Sequence, residues 1–172
     1  MLRRYLKSGW KLIHIRGSHH RLEKNGDHEM KYHFRIHKEK IGYWAEGVEI
    51  PWANTQARTL EDLKKNMKEV LELCLEEPDN KSTFIPPLPN PAIKGRNILE
   101  VSPDPTIALA ALVRRLRILE HLSQREAAKR MGMKHVYQYQ KLESGKTANA
   151  ELLTLAKLKR LYPHFSVDSV FA

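Results

Sequence analysis

The sequence predicts an α+β fold in which a small β-sheet module with one helix precedes an all-α domain. In short runs through the first third of the chain, apolar and polar residues alternate as they do in strands. From Thr106 onward, apolar residues recur at helical spacing instead. Seven prolines from Pro78 to Pro105 separate the two patterns and favour an extended connector. We therefore expect three parts, with boundaries at 1–28, 29–102 and 103–172.

The first part, residues 1–28, is predicted to be a short αββ fragment. Arg3 to Ser8 is typical of a helix end, and Gly9 is its stop signal. Trp10 to Arg16 alternates as a strand, and His19 to Glu23 begins a second one. Two strands and a helix of one or two turns bury too little apolar surface to fold alone. We expect this fragment to depend on contacts with another part of the chain.

The middle part, residues 29–102, is predicted to be a βββαβ module. Its four predicted strands are Lys31–His37, Gly42–Val48, Ala53–Ala57 and Asn97–Val101. Before the last strand a helix opens at Thr59, whose hydroxyl is a preferred N-cap, and acidic residues follow in the first turn. The apolar stripe of this helix, which we expect to face the core, comprises Leu60, Leu63, Met67, Val70, Leu71 and Cys74.

The last part, residues 103–172, is predicted to be entirely helical. The expected helices are Thr106–His121, a short one starting at Ser123, His135–Ser144 and Glu151–Tyr162. Ser123-Gln-Arg-Glu126 has the form of a capping box, in which the serine and the glutamate each bond the other's backbone amide. Gly132-Met133 is the expected turn, and Gly145 ends the helix after it.

The net charge of +10 is distributed unevenly along the chain. Residues 1–28 carry +5, residues 29–80 carry −3, and residues 81–172 carry +8. Two basic ends around an acidic middle indicate two polyanion-binding parts joined by a module with another task. Charge alone predicts affinity for phosphate and gives no information about sequence recognition.

The stretch from Leu122 to Gly145 resembles the Xre or lambda-repressor-like helix-turn-helix family. The residues that carry the resemblance are Leu122-Ser-Gln-Arg-Glu-Ala-Ala-Lys-Arg-Met-Gly-Met and Leu142-Glu-Ser-Gly. Small alanines let two helices cross closely, and the glycine relieves the turn between them. On the second helix we expect Val136, Tyr139 and Leu142 to pack inward. The side chains left facing outward are Lys134, His135, Tyr137, Gln138 and Lys141.

These outward side chains suit contacts with DNA. Gln138 can pair with both polar atoms of an adenine edge, and Lys134 or Lys141 suits guanine or phosphate. Gln124 stands where the resemblance implies a phosphate-binding glutamine. We expect Gln124, Lys134, His135, Tyr137, Gln138 and Lys141 to form the DNA-binding set.

The middle part resembles the HicB antitoxin family. The residues concerned are Gly42-Tyr-Trp-Ala-Glu, Pro51, Thr55-Gln-Ala57, Thr59-Leu-Glu-Asp-Leu and Asn66. The family's Gly-Cys after the proline is replaced here by Trp52-Ala53. The resemblance implies a partial, catalytically inert RNase H-like fold that covers the active site of a toxin. Many family members add a helix-turn-helix after a proline-rich connector, and this chain has the same order.

The N-terminal part resembles the first half of HicA, the toxin partner, which has a double-stranded-RNA-binding-like fold. The shared residues are Leu6-Lys-Ser-Gly-Trp-Lys-Leu-Ile and Arg16-Gly-Ser-His-His20. The resemblance points to His19 as the catalytic histidine of a HicA-like mRNA interferase. Histidine can act as general base toward a 2′-hydroxyl near neutral pH. The rest of the toxin sequence is missing before Met30, so a truncated segment is expected.

Other classes of function find little support. We expect no metal site and no cofactor, because the nine histidines lack cysteine partners or His-Glu-x-x-His spacing. The single cysteine, Cys74, is expected to pack in the core and fits a reducing cytoplasm. No apolar run is long enough to span a membrane, and the first residues lack the apolar core of a signal peptide.

The sequence therefore predicts a cytoplasmic HicB-like antitoxin rather than an enzyme. It would neutralise a HicA-type toxin and repress its own operon as a homodimer or higher homo-oligomer bound to operator DNA. Two alternatives remain open at this stage. One is a self-inhibited HicA–HicB fusion with latent endoribonuclease activity. The other is an orphan helix-turn-helix regulator without a toxin.

Overall fold

The computed structural model describes residues 10–16, 19–24, 30–76, 85 and 87–171, and for 10–24 it describes the backbone pairing alone. Over these residues the fold is mixed α+β, with a two-stranded hairpin, a four-stranded antiparallel sheet and five α-helices. The α+β class predicted from the sequence is confirmed. The helix expected from Arg3 to Ser8 lies outside the described residues.

A two-stranded antiparallel hairpin opens the described chain. It pairs β1, Trp10–Arg16, with β2, His19–Lys24, and its register places Arg16 opposite His19. The two strands predicted for the N-terminal part are therefore confirmed.

The main sheet has the strand order β5-β4-β3-β6. Its strands are β3 (Tyr32–Lys38), β4 (Tyr43–Gly47), β5 (Asn54–Ala57) and β6 (Ile98–Val101). Gly42 makes the tight turn from β3 to β4 at a φ of 91°, and a Cβ there would approach the Ala57 carbonyl oxygen to 2.5 Å. Only glycine fits that position without strain. All four strands predicted for the middle part are confirmed to within two residues.

The helix α1, Leu60–Leu75, covers one face of this sheet. The Thr59 hydroxyl accepts a hydrogen bond from the Asp62 amide at 3.1 Å, which confirms the predicted N-cap. Side chains from both layers meet in a fully buried core, and they include Tyr32, Phe34, Ala45, Leu63, Met67 and Leu71. Leu60 is the exception to the predicted apolar stripe, because it is exposed at the first turn of the helix.

The proline-rich connector returns along the sheet before β6. The Tyr32 hydroxyl donates a hydrogen bond to the Pro87 carbonyl at 2.9 Å. The Asn90 amide donates to Glu49 Oε1 at 3.0 Å, and the same carboxylate is 2.7 Å from Nδ1 of the buried His33. These polar contacts fix the path of the chain between α1 and β6.

The helical part consists of α2 (Pro105–Leu119), α3 (Gln124–Arg130), α4 (Val136–Gln140) and α5 (Leu152–Leu161). The predicted boundary at 102–103 lies in the link between β6 and α2. Buried contacts cross that link, since Arg114 Nη2 donates to the Leu75 carbonyl at 2.6 Å. The Asp104 amide also donates to Glu72 Oε1 at 2.9 Å. The helical part is therefore held against α1.

The last described residues return to the sheet. After α5, a 3₁₀ turn at Asp168–Val170 follows the buried Phe165. The Met30 amide donates to the Ser169 carbonyl at 3.1 Å, just before β3 begins. Among the helices the structure describes, none has the length and hydropathy needed to cross a membrane.

Candidate nucleic-acid interface

The helix α3 begins with the predicted capping box. The Glu126 amide donates to the Ser123 hydroxyl at 3.2 Å, and the Ser123 amide donates to Glu126 Oε2 at 2.8 Å. These two hydrogen bonds satisfy backbone donors that the helix itself leaves unpaired. The position of the N-terminus of α3 is therefore fixed by two residues three positions apart.

A tight turn then leads from α3 to α4. Gly132 adopts a φ of 66°, a left-handed conformation that side chains disfavour. Ala127 and Ala128 are buried, and their small side chains let the two helices approach each other. The turn predicted at Gly132-Met133 is confirmed.

The helix predicted from His135 to Ser144 is confirmed to within one residue at each end, but it changes type in its second half. The α-helix α4 ends at Gln140, and Lys141–Glu143 winds on as a 3₁₀ turn. The tighter turn carries Leu142 and Glu143 together into the interior, where Glu143 meets a buried arginine. The change of helix type therefore accompanies a buried ion pair.

Five of the predicted DNA-binding side chains lie between residues 134 and 141, on α4 and directly beside its two ends. All five are exposed, and they are Lys134, His135, Tyr137, Gln138 and Lys141. Lys141 Nζ lies 4.8 Å from the centre of the Tyr137 ring, a distance at which the ring attracts the cation. Gln138 Oε1 accepts a hydrogen bond from the His135 amide at 3.3 Å. On the opposite side Tyr139 and Leu142 are buried, as predicted.

Gln124, the sixth predicted residue, is half-buried at the start of α3. Its Nε2 donates to Glu143 Oε2 at 2.9 Å, and its Oε1 accepts from Gln140 Nε2 at 3.2 Å. Both ends of the amide are thus oriented by neighbouring side chains. The second Nε2 proton is the donor left to bind a ligand.

The group that organises this site is an ion pair that the sequence analysis did not identify. Arg117 Nε and Nη2 donate to the two carboxylate oxygens of Glu143 at 2.6 and 2.9 Å. Arg117 Nη1 also donates to the Leu122 carbonyl at 3.1 Å. Burial lowers the pKa of Arg117, but the hydrogen bonds and charge of Glu143 more than offset this, so that its pKa is raised. The one signal for this pair in the sequence was that Arg117 lies among the apolar residues of α2.

A second buried polar contact ties α4 to the end of α5. The hydroxyls of Tyr139 and Tyr162 lie 2.7 Å apart. Burial raises the pKa of Tyr139 well above its usual range, and it raises the pKa of Tyr162 to about 12. Both hydroxyls therefore stay protonated, so that one can donate to the other. This contact fixes α4 relative to the end of α5.

The neighbouring segments carry further exposed cations. They are Arg125, Lys129 and Arg130 on α3, together with Lys146. The acidic Glu143 is buried in its pair with Arg117, so its charge is not presented to the surface. The result is a basic, amide-bearing surface of the chemistry that phosphates and base edges bind.

His19, the predicted catalytic residue, is the first residue of β2. Its side chain lies outside the part of the chain whose side chains the structure describes. Cys74 is half-buried on α1, and burial raises the pKa of its thiol, in keeping with the expected packing role. Among the described residues, no group of three histidine, cysteine, aspartate or glutamate side chains could hold a metal ion.

No model of a known protein family matches the chain, and no curated protein matches its sequence.

Proposed function

We propose that this chain is a HicB-like antitoxin that represses its own operon by binding operator DNA. The observation that carries the DNA-binding half is the exposed group of Lys134, Tyr137, Gln138 and Lys141, which lie on α4 and directly beside its two ends. The 3₁₀ turn after α4 is held by the Arg117–Glu143 pair. In a helix-turn-helix, the second helix enters the major groove while the first crosses the backbone. The capping box, the left-handed Gly132 and the buried alanines support that use of α3 and α4.

The proposal for the middle part is a partial RNase H-like module that binds a HicA-type toxin. The observed order of β3, β4, β5, α1 and β6 is the βββαβ order that the HicB resemblance implies. One end of this module exposes apolar side chains. Ile41 is 83% exposed, and the exposed Leu60 borders a hollow of about 280 Å³. The rest of its lining is apolar at Ile36, Tyr43 and Leu99 and polar at Lys38, Arg96 and Asn97. Exposed apolar groups gathered at one place favour a protein partner.

The experiment for the DNA-binding half measures affinity for the DNA upstream of the gene. Replacing Lys134 and Lys141 by alanine together should weaken binding by at least tenfold and lower the slope of log affinity against log salt. Lys65→Ala, an exposed lysine on α1, serves as the matched control and should leave affinity unchanged. Wild-type protein that binds this DNA no better than unrelated DNA would overturn the proposed operator function.

The experiment for the toxin-binding half is co-expression with a HicA-type toxin encoded beside the gene. The wild-type chain should restore growth, and the Ile41→Glu, Leu60→Glu double variant should not, because it places two charges on the apolar end of the module. Both residues are exposed, so the substitutions should not affect folding. Equal rescue by wild type and variant would show that this surface does not bind the toxin.

A further inference from the structure

The outer face of the main sheet carries two stacked aromatic rings. His37 on β3 and Trp44 on β4 are paired in the register, and their ring centres lie 4.0 Å apart with an angle of 8° between the planes. Side chains alternate between the two faces of a strand, so this pair points away from the core residues Phe34 and Ala45. Trp44 is half-buried, and His37 covers one side of its ring.

A hollow opens at the other side of the Trp44 ring. Its volume is about 330 Å³, and it is lined by Glu39, Trp44, Asn54, Thr55 and Gln56 but not by His37. Gln56 is the partner of Trp44 on β5, so the hollow lies on the side of the ring that His37 leaves uncovered. A third planar ring placed there would continue the stack of His37 and Trp44.

The polar groups around this hollow suit the edge of a nucleobase. Asn54 Nδ2 donates to the Pro51 carbonyl at 3.1 Å, and its Oδ1 remains as an acceptor. The exposed Gln56 amide can both donate and accept, whereas the exposed Glu39 carboxylate accepts. A base edge presents N–H donors beside oxygen or nitrogen acceptors, so a base can bond to these groups while its ring stacks on Trp44.

Positive charge lies at one end of the same face. A Cβ on Gly42 would come within 3.2 Å of the Arg58 Cα, so the turn that carries Lys40 lies against the end of β5. Lys40 and Arg58 are both exposed. The acidic Glu46 is paired with Arg35, whose Nη1 is 3.0 Å from its Oε1. Exposed cations beside an aromatic ring are the combination that binds the backbone and the bases of a single strand.

We propose that this face of the sheet binds single-stranded nucleic acid, with one unpaired base stacked on Trp44 and the adjacent phosphates held by Lys40 and Arg58. A base within a duplex cannot enter the hollow, because both faces of its ring are stacked on the neighbouring base pairs. The site is therefore distinct from the candidate interface on α3 and α4, which is proposed to bind duplex DNA, and it does not depend on that function.

The test compares two labelled oligonucleotides of equal length and charge, one made of thymidines and one of abasic sites, by fluorescence anisotropy with the full chain. Phosphate contacts anywhere on this basic protein contribute to both strands alike, so the ratio of the two dissociation constants measures binding of the bases. The wild type should bind the thymidine strand about fivefold more tightly or better, the usual effect of stacking one base on an aromatic ring. Trp44→Leu should bring the ratio close to one.

Two further variants complete the test. Phe171→Leu is the matched control, since Phe171 is an exposed aromatic residue outside the hollow, and it should leave the ratio unchanged. Gln56→Ala removes a hydrogen-bonding group from the hollow at an exposed position and should lower the ratio about twofold or more. All of these proteins should keep the circular dichroism spectrum of the wild type.

Three results would overturn the proposal. The first is a wild-type chain that binds both strands equally, and the second is a folded Trp44→Leu variant that keeps the wild-type ratio. The third is displacement of the thymidine strand by an equal concentration of thymidine monophosphate, which would assign the hollow to a free nucleotide. Should Trp44→Leu not fold, an unchanged ratio for Gln56→Ala refutes the site.

Affinity for the duplex upstream of the gene is measured separately with the same proteins. Trp44→Leu should bind that duplex as the wild type does, because Trp44 lies outside α3 and α4. A wild-type chain that prefers the thymidine strand over the abasic one but does not recognise the duplex would leave the sheet site standing and refute the operator function. The two failures are therefore distinguishable.

Discussion

Arg117 on α2 and Glu143 after α4 form a bidentate ion pair at 2.6 and 2.9 Å, with both side chains buried. Gln124 also donates to this carboxylate, so the pair joins α2, α3 and the 3₁₀ turn through one group. Removal of this ion pair is the most direct test of how the candidate interface is held in place.

We expect Glu143→Ala to lower the free energy of unfolding by about 3–5 kcal/mol, because it leaves the Arg117 guanidinium buried without a partner. The Arg117→Met, Glu143→Leu double variant should recover most of that loss, since it removes both charges and keeps apolar volume. Urea unfolding followed by circular dichroism measures both. A loss below about 1 kcal/mol for the single variant would show that the pair behaves as an exposed one.

The capping box gives a prediction with a pH dependence. Ser123→Ala should cost about 1 kcal/mol of stability through loss of the N-cap. Hydrogen bonds from the Ser123 hydroxyl and amide lower the pKa of Glu126. The ionised Glu126 side chain therefore stabilises the fold above the pKa of an unfolded glutamate, about 4.3. This stabilisation is lost as the pH falls through the lower pKa that Glu126 has in the folded state. Stability measured between about pH 6 and 3 should fall less steeply for Glu126→Gln than for the wild type.

The two phenylalanines near the end of the described chain form a matched pair for substitution. Phe165 is 2% exposed in the core, whereas Phe171 is 64% exposed. We expect Phe165→Ala to cost about 3–5 kcal/mol and Phe171→Ala to stay within about 0.5 kcal/mol of the wild type. Thermal unfolding of the two variants decides the point. Similar losses for both would mean that residues 165–170 are not packed as described.

Glu49 should hold the connector against the sheet. Its carboxylate accepts from the His33 amide at 2.9 Å and from the Asn90 amide at 3.0 Å, and it lies 2.7 Å from His33 Nδ1. We expect Glu49→Ala to destabilise the chain by about 2–3 kcal/mol, because the backbone amide and ring of the buried His33 lose their partner. The Asn90 amide should also exchange with deuterium faster. The exposed Glu61→Ala on α1 should change neither quantity, and unaltered Asn90 exchange in the Glu49 variant would contradict this role.

Features encoded by neighbouring residues could be predicted from the sequence. The strands β3 to β6, the Thr59 cap, the Ser123 capping box and the Gly132 turn each depend on residues within a few positions of one another. The exposure of Lys134, Tyr137 and Lys141 followed from helical periodicity in the same way.

Features that depend on distant residues could not be predicted. The change from α-helix to 3₁₀ turn after Gln140 accompanies the pairing of Glu143 with Arg117 on another helix. His33 alternates with Tyr32 and Phe34 along β3, yet it is buried as they are, with Glu49 hydrogen-bonded to it and to the connector. Neither contact leaves a periodic pattern in the sequence.

The hydrogen bond from Met30 to Ser169 has a consequence for the order of folding. Met30 and Ser169 lie near the two ends of the sequence that forms the hydrophobic core, which runs from Met30 to Val170. Their hydrogen bond can therefore form only after almost all of that sequence has been made. During synthesis, β3 to β5 and α1 can collapse early, but Met30 lacks this partner until Ser169 has left the ribosome, together with the buried Phe165 and Val170 near it in the sequence. Contacts between such distant residues slow folding. An incompletely synthesised chain would therefore expose apolar surface, and cellular proteases would degrade it more readily than the finished protein.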